Sequence, residues 1–221
     1  MSKHTTTTYQ CPNCRKSSTV KIWQSINVTI NPELKDQVLD ESAFAFVCPS
    51  CSFKQGLAYA SLYHDQSLKF MAYWLPNADE MKEHDFAELN KNAIQETGYR
   101  LRVVSTLNRL KEKILIFEHR MDDRAIELLK RFVWSSQLED NNVPRDRVYF
   151  SGSNVQFDYP EIELVAITNS GQSRTFTVSG KNGYPRALET LHKEFKVPNY
   201  NALQWKIVDH TYWDLAEKGK G

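Results

Sequence analysis

Through the first hundred residues, apolar positions alternate with polar ones or gather in short aromatic-rich runs, and both patterns predict strands. Residues 19–30, TVKIWQSINVTI, carry strand-like β-branched content. Residues 31–40, NPELKDQVLD, then read as a short helix with Asn31 as N-cap and Pro32 in the first turn. AFAFVCP returns as a strand. Residues 57–76, LAYASLYHDQSLKFMAYWLP, set two apolar runs around a polar HDQS, which predicts a β-hairpin. YRLRVVST is a further strand, followed by two helices, TLNRLKEKILIFEHR and DDRAIELLKRFVW. Leu107, Leu110, Ile114 and Phe117 share one face of the first; Ile126, Leu129 and Phe132 or Val133 point inward on the second. Asp122 is placed to cap that second helix, and Glu127 and Arg131 to pair at i,i+4.

A polar stretch, SSQLEDNNVPRD (135–146), marks an internal boundary by composition. Beyond it RVYF, NVQF and EIELVAITNSGQSRTFTV predict strands, with NSGQ turning a hairpin. PRALETLHKEF predicts a helix begun by Pro185, ALQWKIVD a last strand and HTYWDLAE a short closing helix. Strands and helices in separate runs give the α+β class. The expected organisation is a flexible tail over 1–8, a metal-binding domain over 9–134 and a β-rich part over 145–217 packed on the same sheet or its own.

Cysteine changes this picture most. CPNC (11–14) and CPSC (48–51) hold all four cysteines. A Cys-x-x-Cys turn brings two sulfurs to one metal ion, and two turns supply a tetrahedral set. Pro12 and Pro49 fix φ at the same place in both turns, which lowers the entropy lost on binding. The insert between the pairs, residues 15–47, exceeds the usual roughly 15–20 residues. Loop closure makes that a small cost, about 0.6 kcal/mol per doubling. The expected ion is one structural zinc on Cys11, Cys14, Cys48 and Cys51. Iron takes the same four ligands, and a redox dithiol and disulfides are the other readings of the thiols.

Together CPNC and CPSC, the LYHDQSLKFMAYWLP hairpin, LRVVSTLNRLKEKILIFE and DDRAIELLK resemble the CpXC family, bacterial and archaeal proteins named for this doubled motif. The resemblance runs over roughly residues 9–134. It implies a four-cysteine metal site on the same residues, and a zinc-ribbon-like β unit with a helical hairpin is the fold expected for this part. It brings no activity with it. Many zinc knuckles place Gly after the second cysteine, where φ is positive; here Arg15 and Ser52 stand there, which predicts turns that are either slightly strained or differently hydrogen-bonded.

Charge and the remaining motifs narrow the function. The net charge is +1 and no third of the chain is strongly one-signed, against the basic stripe of a nucleic-acid binder. The N-terminus lacks an apolar signal region and no run of about 18 apolar residues occurs, so a cytoplasmic protein without a membrane span is expected. His64 and Asp65 at the hairpin tip, with His119 and Asp122 between the helices, are the candidates for acid–base chemistry. Each has a plainer role: a polar turn for His64 and Asp65, a helix end for His119, a cap for Asp122. His192 reads as a core-edge residue. No phosphate loop, dinucleotide fingerprint or nucleophile elbow is present. A four-thiolate site has no open position for water. The expectation is therefore a non-catalytic protein that recognises another macromolecule, a protein first. The second reading is a nucleic-acid-binding ribbon using Lys54, Lys69, Arg100 and Arg102, and the third an enzyme acting through His64 and Asp65.

Overall fold

The structure, a computed structural model, describes residues 1–91, 98–138, 143–154, 158–195 and 204–214. The chain divides into two compact units, Met1–Lys111 with Ala202–Lys206, and Glu112–Asn201 with Ile207–Gly221.

The first unit is built on a five-stranded mixed sheet. Strands β1 (Lys3–Gln10) and β2 (Ser17–Asn27) form an antiparallel hairpin. β5 (Ser61–Asp65) runs parallel to β2, and β6 (Phe70–Trp74) returns antiparallel to β5. β7 (Arg100–Val104) is parallel to β6, giving the order β1-β2-β5-β6-β7. A two-stranded ribbon, β3 (Ala45–Val47) with β4 (Lys54–Gly56), stands as a second sheet. Strict alternation along β5 and β6 buries Tyr63, Phe70, Ala72 and Trp74 on one face. Phe44 meets the Trp74 ring edge-on at 4.7 Å there.

The long insert between the cysteine pairs is folded as its pattern predicts: β2, then α1 (Glu33–Leu39) with Leu34 and Val38 buried, then β3. Its start differs. Pro32, not Asn31, takes the N-cap position, and the Asn31 amide donates to the Glu33 carboxylate instead. The β5–β6 hairpin, β7 and the helices α3 (Leu107–Glu118) and α4 (Asp123–Val133) also fall where the sequence puts them. Helix α2 (Glu83–Lys91) lies in a stretch with no clear apolar period. Residues 3–8, expected as part of a flexible tail over 1–8, belong to strand β1 instead. β-branched threonines suit an extended edge, and each of Thr5–Thr8 has a β2 partner.

In the second unit, β8 (Val148–Asn154), β9 (Glu161–Ile167) and β10 (Ser173–Val178) form their own antiparallel sheet, order β10-β9-β8. Ile162, Leu164 and Ala166 are the buried alternation of its central strand. Helix α5 (Tyr184–Lys193) starts with Pro at its N-terminus as expected, with Ala187 and Leu191 buried. His192 is exposed rather than core-edge. Trp213, wholly buried, donates its indole N–H to the Arg124 carbonyl at 3.1 Å.

Two boundaries shift from the sequence reading. The junction falls within α3, where Lys111 and Glu112 belong to different units, rather than after 134. Among the described residues, the last expected strand is represented by one parallel bridge between Arg102 and Lys206. Most of NVQF and the end of HTYWDLAE lie outside the described residues.

Candidate metal centre

Each cysteine pair sits in the turn of a hairpin: Cys11 and Cys14 between β1 and β2, Cys48 and Cys51 between β3 and β4. The two turns repeat one hydrogen-bond scheme. The Cys11 N–H donates to the Lys16 carbonyl (3.0 Å) and the Arg15 N–H to the Cys11 carbonyl (2.8 Å). In the other turn the Cys48 N–H donates to Phe53 and the Ser52 N–H to Cys48, both at 2.9 Å. Arg15 and Ser52 take φ of 61° and 59°, the left-handed region that Gly adopts without steric cost.

These turns bring the four sulfurs within 4.8 Å of one another. Cys11 Sγ lies 3.7 Å from Cys51 Sγ and Cys14 Sγ 3.6 Å from Cys48 Sγ, so the close pairs run between turns. A tetrahedron with metal–sulfur bonds of about 2.3 Å has edges of about 3.8 Å. The donor set fits one metal ion, with every position filled by protein.

Apolar packing fixes the arrangement from behind. Cys11 and Cys48 are buried with Val20 and Phe46, and Tyr9, Ile22, Phe53 and Leu57 close around them. The Tyr9 ring packs at a tilt of 57° against Phe46, centroids 4.6 Å apart, and its hydroxyl donates to Gln55, tying one hairpin to the other. Cys14 and Cys51 are the half-exposed pair.

The environment also separates the thiols electrically. The Asn13 side-chain amide donates to Cys51 Sγ at 3.5 Å; this bond, helped by the Phe53 backbone N–H, holds the Cys51 thiol down at about 6. At Cys14 the Lys16 backbone N–H pulls the other way, but burial and three neighbouring sulfurs push that thiol up to about 11. Four thiols in one small volume share protons until a cation replaces them.

The other predicted site residues do not assemble. His64 and Asp65 are neighbours on β5 and point to opposite faces. The His64 ring lies between the Asn27 amide (3.4 Å) and the Tyr99 hydroxyl (3.0 Å), as a tie between strands. Asp65 accepts from the Ser67 hydroxyl and the Leu68 N–H, a local turn. His119 and Asp122 belong to the second unit. His119 meets the Ser153 hydroxyl at 2.8 Å, and Asp122 caps α4 through the Arg124 N–H and grips the Arg124 guanidinium. Of the four cations in the nucleic-acid reading, Arg102 is buried and bonded to the Leu101 carbonyl. Arg100 donates to the Leu68 carbonyl at 2.6 Å.

One constellation was not foreseen. Glu112, Lys113, Asp123, Glu127 and Lys130 are all buried in the second unit. Lys113 Nζ lies 3.2 Å from both Asp123 and Glu127; Lys130 Nζ lies 2.9 Å from Glu112 and Glu127. Glu112 also accepts the Phe150 N–H at 2.7 Å. Burial lowers the Lys130 pKa, but the Glu112 and Glu127 carboxylates outweigh it and leave that pKa raised. Glu127 thus faces two lysines, and Arg131 reaches Asp214. In the structure residues 123–130 of α4 are buried all round, so that its charged positions must neutralise each other, which the charge spacing in the sequence does not signal.

Two cysteine turns on paired β-hairpins, closed around one four-sulfur volume, define a zinc-ribbon-like metal-binding fold. Residues 9–130 match the family model described as CpXC protein, more than half the chain, and the chain belongs to that family. No curated protein and no solved structure matches it.

Proposed function

We propose that this is a non-catalytic zinc-binding protein whose single ion sits on Cys11, Cys14, Cys48 and Cys51 and serves structure. The observation that carries this reading is the closed donor set: four sulfurs at tetrahedral spacing, two of them buried, leave no position for water or substrate. Zinc suits four thiolates in a site whose role is to join two hairpins, because it is redox-inert and imposes no geometry of its own. The work of the protein is then recognition, with another protein as the partner. The near-neutral net charge and the burial of Arg102 weigh against a phosphate-binding surface.

The test is affinity capture by the metal-loaded chain at low and high salt, beside titration with duplex DNA and single-stranded RNA. A stoichiometric protein complex that survives high salt supports the reading. Nucleic-acid binding that falls steeply with salt would replace it with the ribbon alternative.

A further inference from the structure

The alternation that buries one face of β5 and β6 leaves Leu62, Met71 and Tyr73 half-exposed on the other. On that face, within the first unit, lies a cavity of about 670 Å³, in the range that takes a small ligand or a single anchoring side chain. Its aromatic corner is Tyr73 and Trp205, whose rings meet nearly at right angles, 83°, with centroids 5.8 Å apart. Trp205 is fixed there by its backbone N–H, which donates to the Asn90 side chain at 2.8 Å.

Among the described residues, the ionisable groups lining the cavity are of one sign: Glu80, and Asp85 and Glu88 from one face of α2. Lys91 pairs with Glu88 at 2.6 Å from outside the lining, and both are exposed, so that pair offsets little. Apolar lining alone would take any hydrophobe. An aromatic corner attracts cations through the negative faces of its rings, and carboxylates beside it add to the preference and reject anions. Both features point to one ligand chemistry.

We propose that this cavity binds an alkylammonium group, an ammonium on an apolar body, with the cation against Tyr73 and Trp205 and the charge offset by Glu80, Asp85 and Glu88. A free amphiphilic amine and a lysine side chain of a partner protein share that chemistry. The proposal is independent of the metal reading.

The test is calorimetric titration of the full, metal-loaded chain with hexyltrimethylammonium, hexanol and hexyl sulfate, and with a peptide carrying one trimethyllysine. Saturable binding of the cation, about 10-fold tighter than hexanol and weakened by salt, is expected, with none for the sulfate. Tyr73→Leu and the pair Glu80→Gln with Glu88→Gln should each weaken the cation several-fold, with metal content and far-UV circular dichroism unchanged. A tighter peptide assigns the site to a partner's lysine, and a tighter free amine to a small molecule. Equal binding of cation and hexanol, or no binding of either cation, overturns the proposal. Metal content measured on the same preparation separates that failure from a failure of the zinc reading.

Discussion

Arg15 and Ser52 hold the same left-handed backbone position, φ 61° and 59°, one residue past the second cysteine of each turn. A side chain there meets its own backbone, at roughly 1 kcal/mol or more for a residue with a Cβ. Gly relieves that contact while adding freedom to the unfolded chain, so the net gain is smaller. Arg15→Gly and Ser52→Gly should therefore each stabilise the metal-loaded protein, by about 0.5–1 kcal/mol. Thermal unfolding checks this, with a raised midpoint expected for each variant and a larger rise for the two together.

The Asn13 amide sets how many protons the site gives up. In the metal-free protein near pH 7, Cys51, held at about 6, is a thiolate, and Cys14, at about 11, is a thiol. Asn13→Ala removes the first cause of the Cys51 depression and moves that thiol up towards its ordinary value of 9.0, so a larger share of it is protonated at pH 7. Zinc loading of the variant at pH 7 should then release more protons than loading of the parent, at an affinity roughly 10-fold lower. Calorimetry in buffers of different ionisation enthalpy counts the protons.

The same two thiols give the metal-free fold a pH window. The depressed Cys51 contributes stability that is present above its ordinary value of 9.0 and is lost as pH falls through about 6. The raised Cys14 contributes stability that is present below 9.0 and is lost as pH rises through about 11. Denaturant titrations of metal-free protein should show the greatest contribution near pH 9, declining as pH falls towards about 6 and as it rises towards about 11. Zinc should suppress the fall on the alkaline side, because a bound thiolate no longer titrates there.

Glu127 is the hinge of the buried charge cluster, within 3.2 Å of Lys113 and 2.9 Å of Lys130. Glu127→Gln leaves two buried ammonium groups with less compensation and should destabilise the second unit by about 3–5 kcal/mol. Glu189→Gln, which breaks exposed pairs with Lys193 and Arg186, should cost far less because solvent screens them. Comparable losses for the two would show that the cluster is solvated.

Much of this architecture was legible in the sequence. The doubled CPxC turn identified the four sulfurs, the β5–β6 alternation gave the hairpin, and Asp122 gave the start of α4, because each is a local signal whose cause lies within a few residues. What escaped depends on long-range partners. The Thr-rich β1 carries no apolar period, since nearly all of it is exposed, and only pairing with β2 makes it a strand. The bridge at Lys206 depends on Arg102, far away in sequence. The cluster around Glu127 was hidden because charges at helical spacing ordinarily mark a solvent face, whereas α4 has almost none.

Elemental analysis of the chain purified under reducing conditions without chelator, beside Cys48→Ser, tests the central claim most directly. One zinc per chain, lost in the variant together with the cooperative unfolding of the β1–β4 region, is the predicted result. An absence of metal in the parent, or iron with its thiolate colour, would contradict a structural zinc joining the two hairpins.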